Sequence, residues 1–234
     1  MALVPRPVAH PTAGAEDAGV RRAVAAGFVA LLVSVSAAAA LDVTVAPYVE
    51  AQRAGAVGAV TGRASEERRR PQEPDRPLTG TSILLVPRSA ELLETLGGIR
   101  ARSRASAAAF TEAAPAILRA KNAFEQQLWE AGAADLARAT VGDADGRFQL
   151  ADVPAGAWVL VATRAVRHQV PRQKVGRREH GAFVLGARVT SFQAVTVWLR
   201  ELNVTRAETV AVELTDRNAW FNGVVEEKVL DTGP

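Results

Sequence analysis

The side chains best suited to chemistry are few, and their spacing is against catalysis. Histidine occurs three times, as His10, His168 and His180, and none has a carboxylate or second histidine at metal-ligand spacing. A zinc site needs patterns such as H-E-x-x-H, which turn two ligands toward one ion. The chain has no cysteine, which removes a thiolate metal site, a catalytic thiol and a disulfide framework together. No G-x-S-x-G elbow seats a nucleophilic serine. Asp143-Ala-Asp145-Gly146 opens like a calcium loop, but the position that should hold its bidentate glutamate is Asp152, so the segment reads as a hairpin turn. The expected catalytic, metal and cofactor sets are therefore empty. An enzyme would have to gather dispersed polar residues in a deep pocket.

Binding chemistry has two sources. Arg167 to His180 is basic, and its Arg172, Lys174, Arg177 and Arg178 could meet an anionic polymer or headgroup through guanidinium forks. The bland reading is a solvated loop of an arginine-rich chain. Trp198 and Trp220 are the aromatic candidates. Trp198 falls on the strand face opposite Val195, Val197 and Leu199, so it is either an exposed platform for sugar stacking or a ring buried under another element.

These residues must be positioned by short strands and one helical stretch. Phe148 and Leu150 alternate with Arg147 and Gln149, the period of a half-buried strand. After Leu150 the run Ala-Asp-Val-Pro154-Ala-Gly156 turns the chain, and Trp158 to Ala162 is apolar on both faces, as in a strand covered on two sides. Thr140 to Arg164 thus reads as two strands around a fixed loop. Val57 to Ser65 and Thr81 to Val86 read as strands, as do the alternating runs around Val195 to Arg200 and Thr209 to Leu214. Asp42 to Arg53 shows no clear period and reads as a lead-in. Between Arg88 and Arg138 the sequence turns helical: Ser89 can cap a short helix stopped at Gly97-Gly98, and a longer one carries Phe110, Ile117, Phe124 and Leu128. Pro115 predicts a kink there, or a start near Ala114.

The run from Asp145 to Ala162 resembles the carboxypeptidase regulatory-like family of β-sandwich modules, of the prealbumin/transthyretin-like, Cna-B type. Its hallmark is D-G-x-F-x-L/F-x-x-(L/V)-P-x-G-x-(Y/W)-x-L-x-A, with Trp158 here in the aromatic slot. The resemblance implies an antiparallel seven-stranded-type β-sandwich, with 88–138 as an inserted α-helical hairpin in a domain of 41–234. It also implies a module that accompanies a catalytic domain or stands alone. Relatives that cross-link a strand lysine to asparagine have no counterpart, because Arg63 stands in the first strand. Simple members lack the insertion, so replacing Ser89 to Ala137 by a glycine-serine linker is expected to leave a foldable but less soluble sandwich. The insertion's apolar residues, including Trp129, are expected to pack on a sheet face, the one presenting Trp198. Arg100, Arg102, Arg104, Glu112, Arg119 and Glu125 are then left outward.

Composition sets the remaining limits. The 234 residues are 48% hydrophobic and 23% charged, with a formal net charge of +3. That suits a globular chain and gives no field for nucleic acid. Arg21-Arg22, the apolar run Ala23 to Leu41 and Ala38-Ala39-Ala40 read as a signal peptide or a retained membrane anchor over 1–40. The expected location is extracytoplasmic. The reading overall is a non-enzymatic interaction module with a protein or envelope-polysaccharide partner, a carbohydrate-binding module being the alternative. No membrane contact is expected beyond that anchor.

Overall fold

The computed structural model describes residues 41–70, 72–169 and 187–230, the last including side chains for 190–227 only. The expected signal or anchor segment and Arg172, Lys174, Arg177, Arg178 and His180 lie outside the described residues.

Among the described residues nine strands form two sheets. In chain order they are β1 (Val57–Glu66), β2 (Arg76–Pro77), β3 (Ser82–Pro87), β4 (Arg138–Val141), β5 (Arg147–Pro154), β6 (Gly156–Gln169), β7 (Ala187–Val204), β8 (Thr209–Thr215) and β9 (Phe221–Leu230). One sheet is built on β1, which pairs antiparallel with β2 and β5 and parallel with β8. The other runs β4-β3-β6-β7-β9, antiparallel throughout. The predicted β-sandwich is present, and three helices accompany it: α1 (Ala46–Arg53), α2 (Ala90–Arg102) and α3 (Ala107–Glu130).

The predicted pair around Pro154 exists, but its strands do not pair with each other. β5 bonds to β1 in one sheet while β6 bonds to β3 and β7 in the other, so the turn is an arch between sheets. Pro154 donates no ladder hydrogen bond, and Gly156, at φ 154°, allows a backbone that other residues rarely adopt. Trp158 Nε1 donates to Pro154 O at 2.9 Å and locks the arch. The Asp143 turn behaves as read: its Oδ1 accepts from the backbone N–H groups of Asp145 and Arg147.

Between the sheets lie Val60, Ala64, Phe148, Leu150, Val212 and Leu214 from one side and Ile83, Leu85, Trp158, Leu160 and Trp198 from the other, all buried. Cross-strand register fixes the second set: Ala162 opposes Ile83 and Trp198, and Leu160 opposes Leu85, and directly opposed residues share a face. Gly62 faces this core because a Cβ there would lie 2.4 Å from the Phe148 ring.

Two helix expectations need correction. α2 runs through Gly97-Gly98 to Arg102; Gly98 meets only its own Arg102 side chain, Gly97 has open space, and Ile99 beyond them packs on the core, which outweighs a glycine cost of about 1 kcal/mol each. α3 begins at Ala107, not near Ala114, because Ser106 Oγ accepts from Ala109 N at 3.1 Å; Pro115 sits inside it. Ser89 caps α2 as expected, accepting from Leu92 N at 2.9 Å. The supposed lead-in contains α1, whose Tyr48 packs edge-on against Trp158 at 5.1 Å. Tyr48 Oη donates to Ala157 O at 2.6 Å, and burial raises its pKa.

Candidate functional site

The two tryptophans singled out from sequence do not form an exposed pair. The alternation of β7 is as read, but its faces are reversed: Trp198 is fully buried between the sheets, its Nε1 donating to Thr215 O at 2.7 Å. The Val195–Val197 face is the one the helices cover. Gly223 opposes Val195, and a Cβ on it would touch Ala114 of α3 at 3.0 Å; Phe221 opposes Val197 and lies 6.2 Å from Phe110 of α3. The helical hairpin therefore packs on the sheet face opposite Trp198, correcting the expected placement. Trp220 is half-buried and capped by Arg100, whose Cζ lies 5.1 Å above the ring.

Beyond the sandwich, β6, β7 and β9 continue as a three-stranded extension toward 170–186. Glu227 organises it, accepting from Arg167 Nη2 at 2.5 Å, from Gln193 Nε2 at 3.2 Å and from Ser191 Oγ. The Ser191 and Gln193 hydrogen bonds, with a smaller contribution from Arg167, hold this carboxyl below the ordinary carboxylate range against partial desolvation. A folded-state pKa below the unfolded one means the stabilisation is present above the unfolded value and lost as pH falls through the folded value. Exchange protection of the Ser191 and Glu227 amides, corrected for intrinsic rate, should thus hold at neutral pH and fall as acid takes the solution below the ordinary glutamate value. A Glu227→Gln variant should lack this step; the same acid step in both proteins would assign it elsewhere.

The helical hairpin carries the described chain's most exposed large apolar side chain. Leu92, Leu96, Ile117, Phe124 and Leu128 are buried as expected, but Trp129 is 67% exposed and Phe110 41%. The reason is helical phase: Phe124 and Leu128, four apart, are both buried in the core, so Trp129 points away from it. Of the outward charges expected, Arg102, Arg104, Glu112 and Arg119 are exposed, Arg100 turns onto Trp220, and Glu125 pairs with Lys121 at 2.7 Å.

Just past Trp129 lies a cleft of about 500 Å³, between α1 and the α3–β4 connection. Val45, Val49, Ala133 and Leu136 give it apolar walls, and Gln52, Arg53, Asp135 and Arg138 its polar groups. Arg138 is held by Nη1 donating to Ala151 O at 3.3 Å and Nη2 donating to Gln52 Oε1 at 3.1 Å. Its Nε is buried with no hydrogen-bond partner. The cleft was missed in the sequence because α1 was. The signal was there in Pro47 at a helix start and in Val45, Val49 and Gln52 at helical spacing. Among the described residues, no group of three or more His, Asp or Glu is placed to hold a metal ion, and no helix is long and apolar enough to cross a membrane.

No protein-family model matches the chain, and no curated protein matches it. Among solved structures the chain is similar to a candidate carbohydrate-binding protein from Pseudomonas aeruginosa, at 10% identity over 68% of this chain and 88% of that one, with a TM-score of 0.31. It is also similar to the minor pilin GBS52 of Streptococcus agalactiae, at 11% identity over 76% and 47% of the two chains and a TM-score of 0.27. The pilus backbone protein RrgB of Streptococcus pneumoniae gives 13%, 68%, 40% and 0.24. The chain spans less than half of either pilin structure.

Proposed function

We propose that this chain is a non-enzymatic β-sandwich interaction module of the carboxypeptidase regulatory-like type, working outside the cytoplasm and binding a protein partner through the outward surface of α2 and α3. The Asp145–Ala162 run supports the family assignment, and the Arg21–Leu41 pattern supports export. The observation that carries the binding surface is Trp129. A tryptophan left two-thirds in water contributes little to its own fold, and buried interface aromatics are the side chains that most often dominate binding.

Trp129→Ala should change stability by no more than about 0.5 kcal/mol, as for other surface substitutions, and should weaken partner binding at least tenfold. The check is retention of components from the native cell envelope on the immobilised full chain, wild type against variant, with melting temperatures alongside. Undiminished protein retention by the variant would move the contact surface to the basic segment containing Arg172, Lys174, Arg177 and Arg178. Retention of polysaccharide in place of protein would favour the carbohydrate-binding alternative.

A further inference from the structure

We propose that the cleft between α1 and the α3–β4 connection binds a carboxylate carried next to an apolar side chain, the chemistry of a peptide C-terminus, with Arg138 as its fork. The proposal does not depend on Trp129 or on any partner of the helical hairpin.

A guanidinium presents Nε–H and the neighbouring Nη2 as a parallel pair of donors, which matches the two oxygens of a carboxylate. In Arg138 that edge is half used: Nη2 is taken by the amide oxygen of Gln52, and Nε is buried with nothing to accept its hydrogen. Leaving a buried donor unpaired is unfavourable, because it has given up its water without gaining an acceptor. The single Gln52 oxygen leaves Nε unpaired, whereas the two oxygens of a carboxylate match both donors. Gln52 is an exposed side chain of α1, so it can swing out and give up its place. The opposite side of the guanidinium stays anchored through Nη1 to Ala151 O, which holds the fork in position while the ligand exchanges with Gln52.

Charge points the same way. Arg53 and Arg138 both line the cleft, and neither forms an ion pair with Asp135 or with any other described carboxylate. Two guanidiniums against one carboxylate leave the cleft with one uncompensated positive charge, so an anion completes it. Val45, Val49, Ala133 and Leu136 give that anion an apolar neighbour to bury. A cleft of about 500 Å³ falls in the range of small-ligand sites. Arginine's preference for planar two-oxygen anions selects carboxylate, and the apolar walls favour one beside a hydrocarbon side chain over a bare inorganic anion.

The test is a titration of the isotope-labelled full chain with N-acetyl-leucine, with N-acetyl-leucinamide, which keeps the side chain and lacks the charge, and with inorganic phosphate. The expected result is a shift of the Arg138 Nε–H resonance and of the Gln52, Arg53 and Gly132 amides, with the carboxylate bound at least tenfold tighter than the amide. Arg138→Lys, which keeps the charge and loses the fork, should weaken binding at least tenfold. Gln52→Ala should bind as tightly as wild type or more so, because it removes the competitor. Trp129→Ala should leave this binding unchanged, which separates the site from the hairpin surface. Equal affinity for N-acetyl-leucine and its amide would overturn the proposal, as would phosphate shifting these resonances where N-acetyl-leucine does not. If Arg138→Lys fails to fold, the carboxylate-against-amide contrast and Gln52→Ala still decide the question, since neither disturbs the bond to Ala151.

Discussion

Trp158→Ala should destabilise the chain by about 3–5 kcal/mol, the range for truncating a large buried aromatic. Three interactions end together. The ring is fully removed from water; its edge-on contact with Tyr48, at 5.1 Å, is worth about 0.5–1.5 kcal/mol beyond area; and Pro154 O loses its donor at the arch between the sheets. Domains of this size hold only about 5–15 kcal/mol in total, so the variant should sit near the limit of folding. Gly156→Val should damage the same corner by a different route. Its φ of 154° disfavours a side chain, and a Cβ would lie 2.7 Å from Tyr48 Cε1. The midpoint of urea unfolding is the measurement. A loss below about 1 kcal/mol for Trp158→Ala would mean that this ring is not a core residue.

That Trp158 would be central was legible because a strand apolar on both faces has to be covered on both faces, and β6 lies between the other sheet on one side and the helices on the other. The strand locations were legible for the same reason of period. What the period could not say was which face of β7 points where. Val195-Val197 and Trp198 alternate identically whether helices or a second sheet lie above them, so choosing a side needed the partner elements, and those come from distant segments. The bend at Pro154 was legible but not its crossing between sheets, because turn chemistry marks where a chain bends and is silent on whether the next strand joins the same sheet. The cleft was the least legible feature. Arg138 and Gln52 are 86 residues apart in the chain and meet only because α1 packs beside β5 and the β4 end, a tertiary event with no sequence signature. Arg53 and Arg138 also look unremarkable in a chain with 28 lysines and arginines, and only the cleft they share and the buried, unpaired Nε of Arg138 separate them from the rest.

Replacing Ser89 to Ala137 with a short glycine-serine linker should abolish cooperative folding, contrary to what the resemblance to shorter modules suggests. Chain connection is not the obstacle. Leu85 of β3 is directly opposite Arg138 of β4, so the two ends already lie side by side and a short linker spans them. The obstacle is the face left behind. Leu84, Val86, Val159, Val161, Val195 and Val197 share the outer face of the five-stranded sheet, and all are buried. What buries them is the apolar stripe of α2 and α3, with Leu92, Leu96, Ile117, Phe124 and Leu128 in one continuous core with both sheets. Re-exposing a side chain of this kind costs about 1.5–3 kcal/mol, and six of them together rival the whole stability of a domain. The deletion protein should therefore show no cooperative thermal transition by circular dichroism and should aggregate through that face. A soluble deletion protein with a sharp melt and an intact near-ultraviolet tryptophan signal would show instead that the sandwich closes without its helices, and that they serve only the surface around Trp129.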